Sequence, residues 1–189
     1  MLICILRHGE TDWNSLGKFQ GREDIPLNQT GIEQAQDAAK YLAKYEWKVI
    51  ITSPLSRAKI TAEIISRETG NAEVLEESGF TERDYGKLSG TSSSERNKYF
   101  PDESIAGLES FEDLQNRIVN TLFRYIKTYD GNNIIIVSHG AAINSLLAYL
   151  SENKTRGIPV KNASITMLEN AACGIKIVFQ NMTAKELNI

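Results

Sequence analysis

The chain holds two histidines, and both occur in the same local setting: Ile5-Leu6-Arg7-His8-Gly9 and Ile136-Val137-Ser138-His139-Gly140. Each follows an apolar run and precedes a glycine that permits a sharp exit from a strand. In open α/β sheets ligands bind beyond the carboxyl ends of the strands, so topology alone brings both imidazoles toward one site. Either histidine alone would read as a hydrogen-bonded strand-end residue. Two at equivalent ends, one beside an arginine, read as functional. A third apolar run, Val49 to Ile51, ends at Ser53-Pro54-Leu55-Ser56-Arg57. Arg57 then falls in the first turn of a helix, near its positive dipole end and unpaired N–H groups. By itself it would be a solvent-exposed helix arginine. With Arg7 and the histidines it suits a phosphoryl group, whose oxygens guanidinium forks match in pairs.

Neither GxxxxGK[ST] nor GxGxxG occurs, so phosphate chemistry is expected without a nucleotide-binding signature. Neutral imidazole is a competent nucleophile toward phosphorus, and His8 beside Arg7 is the candidate. Cys4 should lie within the strand. A phosphohistidine needs flanking positive charge and a proton donor for the departing alkoxide. Spacing does not identify that donor: among 24 acidic residues a surface carboxylate is the default. Glu10 and Asp12, two apart on a loop, read as solvated or capping groups, with Thr11 and Trp13 orienting the loop.

The elements that must position these residues alternate in the manner of an α/β domain with a mostly parallel sheet. Leu2 to Leu6, Val49 to Ile51 and Ile134 to Val137 are uninterrupted apolar runs, as in strands covered on both faces. Thr30-Gly31-Ile32-Glu33 reads as a capping box before the stripe Ile32, Ala35, Ala39, Leu42. Ser53-Pro54 reads as a helix start ahead of Ala58, Ala62 and Ile65. Ser110 with Asp113 opens a helix carrying Phe111, Leu114, Ile118, Leu122 and Ile126, and another begins after Gly140 with Ile143, Leu146 and Leu147. Ser164 to Leu168 and Ile175 to Phe179 flank Asn170-Ala171-Ala172-Cys173-Gly174, the pattern of an antiparallel hairpin at a sheet edge. Ser89 to Gly107, with Ser92-Ser93-Ser94 and Pro101, is the least regular stretch and reads as a lid-like insertion.

The chain has 189 residues, 24 acidic against 21 basic, two cysteines and a net charge of −3. That length suits one domain burying roughly 70% of its unfolded surface. The charge gives no bulk attraction for nucleic acid or anionic lipid, and no basic run supplies a local one. The first apolar run lacks the form of a signal peptide, and nothing approaches a membrane span. A cytoplasmic location is expected. The Asn-x-Ser/Thr triplets at Asn28, Asn153, Asn162 and Asn181 then carry no glycan, and Cys4 and Cys173 are two buried thiols. With no CxxC and so few soft ligands, a dedicated transition-metal site is not expected.

An ordered set of motifs resembles the phosphoglycerate-mutase-like histidine phosphatases. It comprises Leu6-Arg7-His8-Gly9-Glu10-Thr11 with Asn14; Gly21-Arg22-Glu23-Asp24-Ile25-Pro26-Leu27 with Gly31 and Gln34-Ala35; and Ser53-Pro54-Leu55-Ser56-Arg57-Ala58. Further along come Glu82-Arg83-Asp84-Tyr85-Gly86 with Gly90, Gly107-Leu108-Glu109-Ser110 with Arg117, and Ser138-His139-Gly140. The matches keep family order over nearly the whole chain. The resemblance implies a three-layer α/β/α sandwich with a mostly parallel central sheet and one antiparallel edge strand. It spans a single domain, residues 1–189, with the insertion or lid at about 87–109.

The resemblance also implies roles. His8 would be phosphorylated on Nε2 while a backbone carbonyl holds Nδ1–H. Arg7, Arg57 and His139 would contact phosphoryl oxygens, with Asn14 assisting. Glu82 would protonate the leaving oxygen and then activate water, a task that burial or the charge of a bound phosphate would favour. Gln20, Gly21, Arg83, Tyr85 and Gly140 would bind substrate.

Family mutases carry extra cations after the catalytic glutamate, a lysine and adjacent arginines. Between Gly86 and Arg117 this chain offers Lys87, Arg96 and Lys98 against Asp102, Glu103, Glu109, Glu112 and Asp113. That departure favours hydrolysis over phosphoryl exchange, although Arg83 and Lys87 remain available for one carboxylate. The expected activity is a phosphatase using neither metal nor other cofactor. Its substrate would be a small phosphomonoester of the α-ribazole phosphate, phosphoserine, phosphoglycerate or sugar phosphate type. The alternatives are a phosphoglycerate-type mutase and, from another class, a non-catalytic phosphate-binding regulatory module. No nucleic-acid or membrane partner is expected; a homodimer is left open.

Overall fold

The computed structural model describes residues 1–99, 107–172 and 174–187. One sheet holds β1 (Leu2–Arg7), β2 (Val49–Thr52), β3 (Glu73–Glu76), β4 (Ile134–Ser138), β5 (Ile165–Ala171) and β6 (Gly174–Met182), in the order β3-β2-β4-β1-β5-β6. The pairs β3-β2, β2-β4 and β4-β1 are parallel; β1-β5 and β5-β6 are antiparallel. The strand that runs against the others, β5, thus lies one place in from the edge, and β6 is the edge.

The uninterrupted apolar runs have the reason expected of them. Ile3, Ile5, Val49, Ile51, Ile134 and Ile136 pack into one core with α5 (Phe111–Thr128) and α6 (Gly140–Leu150). Cys4, Leu6, Ile50, Ile135 and Val137 pack into a second with α2 (Gln29–Leu42) and α3 (Ser56–Glu68). Alternate side chains serve opposite faces, so both must be apolar. Two short helices, α1 (Asp12–Ser15) and α4 (Ser93–Tyr99), lie outside these layers in the loops.

Two helix starts differ from the sequence expectation. The N-cap of α2 is Asn28, whose side chain accepts from Gly31 N–H, rather than Thr30. The Asn28 carboxamide also donates to Glu10, tying the helix start to the loop that follows His8. The cap of α3 is Leu55, without a side-chain bond of its own, while Ser53 Oγ two residues earlier accepts from Leu55 N–H at 3.3 Å and lies 2.7 Å from His139 Nε2. Ser110 caps α5 as expected, accepting from Asp113 N–H. The strand β3 and the helix α4 carry no clear periodicity in the sequence. Of the segment expected as an insertion, residues 100–106 lie outside the described residues, as does Cys173. Among the described residues no helix is long and apolar enough to cross a membrane.

Parallel register sets the site. Arg7 pairs with Ser138, and Thr52 with Val137, so β1, β4 and β2 end in one row. His8 N–H then donates to Ser138 O at 3.0 Å and Ser53 N–H to Val137 O at 3.0 Å. Both histidines and Ser53 therefore emerge side by side.

Candidate active site

Beyond these strand ends opens a cavity of about 710 Å³, whose lining includes Arg7, His8, Asn14, Gln20, Arg57 and Glu82. Tyr85 and Gly140 line it as well. Residues from Arg7 to Val160 meet there through the strand order rather than through proximity in the chain.

His8 is buried, and its Nδ1 lies 2.6 Å from Gly9 O. A carbonyl can only accept, so Nδ1 carries the proton and Nε2 keeps its lone pair. Burial, then Arg7 and Arg57, hold the imidazole well below the ordinary histidine range, which keeps it neutral. That is the form a nucleophile requires.

Two guanidiniums flank it. Arg57 is fully buried; its Nη atoms donate to Glu23 O at 2.6 Å and Gly21 O at 2.8 Å, while Nε has no protein partner. Arg7 donates through Nη1 to Val160 O at 2.5 Å, and its buried Nε likewise lacks one. Desolvation pushes Arg57 down to about 10, and it lowers Arg7 too. Two cations held this close by backbone carbonyls, each with a donor left over, form a preorganised anion cradle.

His139 sits behind His8, ring centroids 5.1 Å apart, and is wholly buried rather than part of the cavity wall. Its Nε2 lies 2.7 Å from Ser53 Oγ, and its buried Nδ1 has no protein partner. Burial first, then the charge of Arg57, holds it well below the ordinary range as well.

The helix N-termini are already occupied. Glu82 lies at the start of α6, where its carboxylate accepts from Ala141 N–H at 3.2 Å and Ala142 N–H at 3.1 Å, and also from Arg83 N–H. Ser56 N–H, at the start of α3, donates to Asp24 at 2.7 Å. The phosphate expected at the α3 terminus is therefore left to the arginines and histidines. Arg117 fixes the segment carrying Glu82: it pairs with both Glu109 oxygens at 3.0 and 2.8 Å and donates to Gly79 O and Thr81 O.

Asn14 closes the capping box of α1 with Thr11, and Gln20 accepts from Thr11 Oγ1 at 3.0 Å. The substrate-binding set is otherwise redistributed. Gly21 is outside the lining and serves by its carbonyl, which holds Arg57. Arg83 also lies outside it, its Nε donating to Glu109 O at 2.7 Å with the guanidinium against the Tyr85 ring. Lys87 does not line the cavity either. Tyr85 does, in contact with Phe19 at 5.0 Å.

Four residues at the site carry no role in the sequence expectation: Ser53 beside His139, Phe19 and Val160 in the cavity wall, and Asn162, whose amide reaches His8 O and Gly9 O. The serine at a strand end opposite a histidine strand was a usable signal for the first. Among the described residues no group of three His, Cys, Asp or Glu is placed to hold a metal.

Residues 3–183 match the model of the histidine phosphatase superfamily (branch 1). The uncharacterized phosphatase PhoE of Bacillus subtilis (strain 168) is 41% identical over 171 residues, 89% of this chain and 88% of that protein. A 2,3-bisphosphoglycerate-dependent phosphoglycerate mutase of Cytophaga hutchinsonii is 32% identical over 165 residues, 80% of this chain and 78% of the mutase. The crystal structure of phosphoserine phosphatase from Entamoeba histolytica in complex with 3-phosphoglyceric acid has a TM-score of 0.84 at 30% identity, covering 98% of each chain.

Proposed function

The chain belongs to the histidine phosphatase superfamily, branch 1, and on that premise we propose that it hydrolyses a small phosphomonoester through a phosphohistidine on His8. The observation that carries this reading is the 2.6 Å contact of His8 Nδ1 with Gly9 O, at a cavity lined by the buried Arg57 and the half-buried Arg7. It leaves a neutral Nε2 lone pair facing a cationic cradle.

Nε2 attacks phosphorus as the ester P–O bond breaks, and the alcohol leaves with a proton from Glu82. Water, deprotonated by the Glu82 carboxylate, then displaces the imidazole and releases inorganic phosphate. Arg7 and Arg57 meet the equatorial oxygens, and His139 offers its Nδ1 side from behind. Charge stabilisation comes from these side chains, so no metal is required.

Hydrolysis is favoured over phosphoryl exchange because Arg83 and Lys87 stand outside the described cavity wall, which leaves Lys18 as its one described cation besides Arg7 and Arg57. A mutase must hold a second anionic group there. The substrate is of the α-ribazole phosphate, phosphoserine, phosphoglycerate or sugar phosphate type; the phosphatase names among the relatives support the reaction class. The segment expected as an insertion on a single domain meets the cavity, among the described residues, through Ser93. The enzyme works in the cytoplasm on a soluble substrate, without nucleic-acid or membrane partners.

The test is release of phosphate from p-nitrophenyl phosphate and a phosphomonoester panel in excess EDTA, with His8→Ala alongside. Chelator-resistant turnover lost in His8→Ala is the expected result. Loss of activity in EDTA would revive a metal mechanism, and no turnover on the panel would favour a binding module. Isomerisation of phosphoglycerate outrunning its hydrolysis would mark a mutase.

A further inference from the structure

We propose that Asn162 is a positioning residue for phosphoryl transfer, holding the Gly9 carbonyl against His8 Nδ1–H and turning the Asn14 amide NH2 toward the phosphoryl group. The inference rests on His8 being the nucleophile. Asn162 lies in the loop before β5, and its Nδ2 is 3.0 Å from Asn14 Oδ1 and 3.3 Å from both His8 O and Gly9 O. An amide has two N–H groups. One serves Asn14, and the other is shared between the two carbonyls.

Gly9 O is also the acceptor of His8 Nδ1–H. A carbonyl that drifts from that position releases the proton to Nε2, and Nε2 then has no lone pair for phosphorus. At the same time Asn14 Oδ1 accepts from Thr11 N–H at 3.2 Å as well as from Asn162. Flipping the Asn14 amide would set its NH2 against both donors, so its donor end is the one offered to the cavity it lines. The backbone works in the same direction. Ala163 stands at φ 49°, left-handed and unfavourable for alanine, and in that turn its N–H donates to His8 O at 3.1 Å. A strained residue kept beside a catalytic loop marks a conformation the surroundings enforce.

The test uses the full chain with Asn162→Asp, which keeps the shape but loses both donors, and Asn162→Ala. Imidazole 15N shifts of His8 are read beside kcat and KM for p-nitrophenyl phosphate. In both variants kcat is expected to fall about 10²-fold, the cost of a small misplacement of reacting groups. KM should move less than kcat, and the His8 spectrum should shift to mixed tautomers. A wild-type tautomer signature, or a kcat within about twofold of wild type, in a folded variant overturns the proposal. The unsubstituted protein supplies a check that needs no variant: its His8 must carry the proton on Nδ1, and the reverse tautomer overturns the proposal. Wild-type protein with that tautomer but no turnover counts against the phosphatase reading while supporting the placement of the proton.

Discussion

Ser53 Oγ and His139 Nε2 lie 2.7 Å apart, and this contact orients the second imidazole of the site. Leu55 N–H donates to the same hydroxyl at 3.3 Å, which turns the hydroxyl proton elsewhere. A hydroxyl proton given to the neutral Nε2 leaves the N–H on Nδ1, which is buried and without a protein partner, and this is the tautomer the proposed reaction requires. A donor in that position suits a phosphoryl oxygen. Ser53→Ala should lower kcat/KM by about 10²-fold, comparable to losing one donor from an anion hole. Leaving Nε2 unpaired should also lower stability by about 1–3 kcal/mol. Steady-state kinetics and thermal melts check both; unchanged kcat/KM would show that His139 needs no orienting partner.

Both histidines are buried and held well below the ordinary value of 6.5. As pH falls below 6.5, the unfolded chain takes a proton on each while the folded chain does not. Stability must therefore decline with acid in that window, by about 1.4 kcal/mol per pH unit for each histidine. Urea midpoints between pH 7 and 5 should show this slope, and His8→Ala should remove close to half of it. The same burial keeps His8 deprotonated, so on the proposed mechanism its phosphorylation in single turnovers should not fall off through pH 6.5. A protonation step there, matching a free imidazole, would contradict the neutral buried His8.

Glu82 is held at the start of α6 by two N–H donors of the helix. Glu82→Gln keeps the volume but presents its NH2 to one of those two donors and cannot protonate a leaving group. The loss should scale with the leaving group: about 10²–10⁴-fold for alkyl phosphates, which need a proton, and far less for p-nitrophenyl phosphate. Equal losses across that series would assign Glu82 a structural role.

How much of this was legible in the sequence follows from what each residue depends on. Arg7, His8, Arg57 and His139 stand at strand ends or first helical turns, and the apolar runs fix those places, so alternation alone gathers them. Glu82 has no such frame: it follows a turn after the short strand β3, whose Glu73 and Glu76 hide the pattern, and it was found by resemblance. Asn162 stands out in the sequence only within an Asn-x-Ser/Thr triplet expected to carry no glycan, because its partners His8, Gly9 and Asn14 are brought to it by the β1–β5 pairing, which lies outside any local window. The cap at Asn28 departed from the Thr30 expectation because two good capping residues stand two apart, and the long-range bond from Asn28 to Glu10 is not visible in a local window.

Gly31 gives a last prediction about how the helix layer holds the catalytic loop. A Cβ there would lie 2.1 Å from Glu10 O, and one on Gly9 would lie 2.2 Å from Gly31 O. The first turn of α2 thus lies directly on the backbone that follows His8, and backbone on both sides leaves no flexible atom to give way. Gly31→Ala should destabilise by about 1–3 kcal/mol or more, as overpacking does, and displace Gly9 O from His8. Gly131→Ala is the control: it stands at φ 78° with nothing within 4 Å of its would-be Cβ, on the loop before β4. It should cost only the left-handed strain, about 1–2 kcal/mol, with kcat unchanged. Melting curves and kcat for the pair separate a general loss of stability from a displaced nucleophile. If kcat in Gly31→Ala survives at temperatures where the protein is fully folded, the loop is not held through this contact.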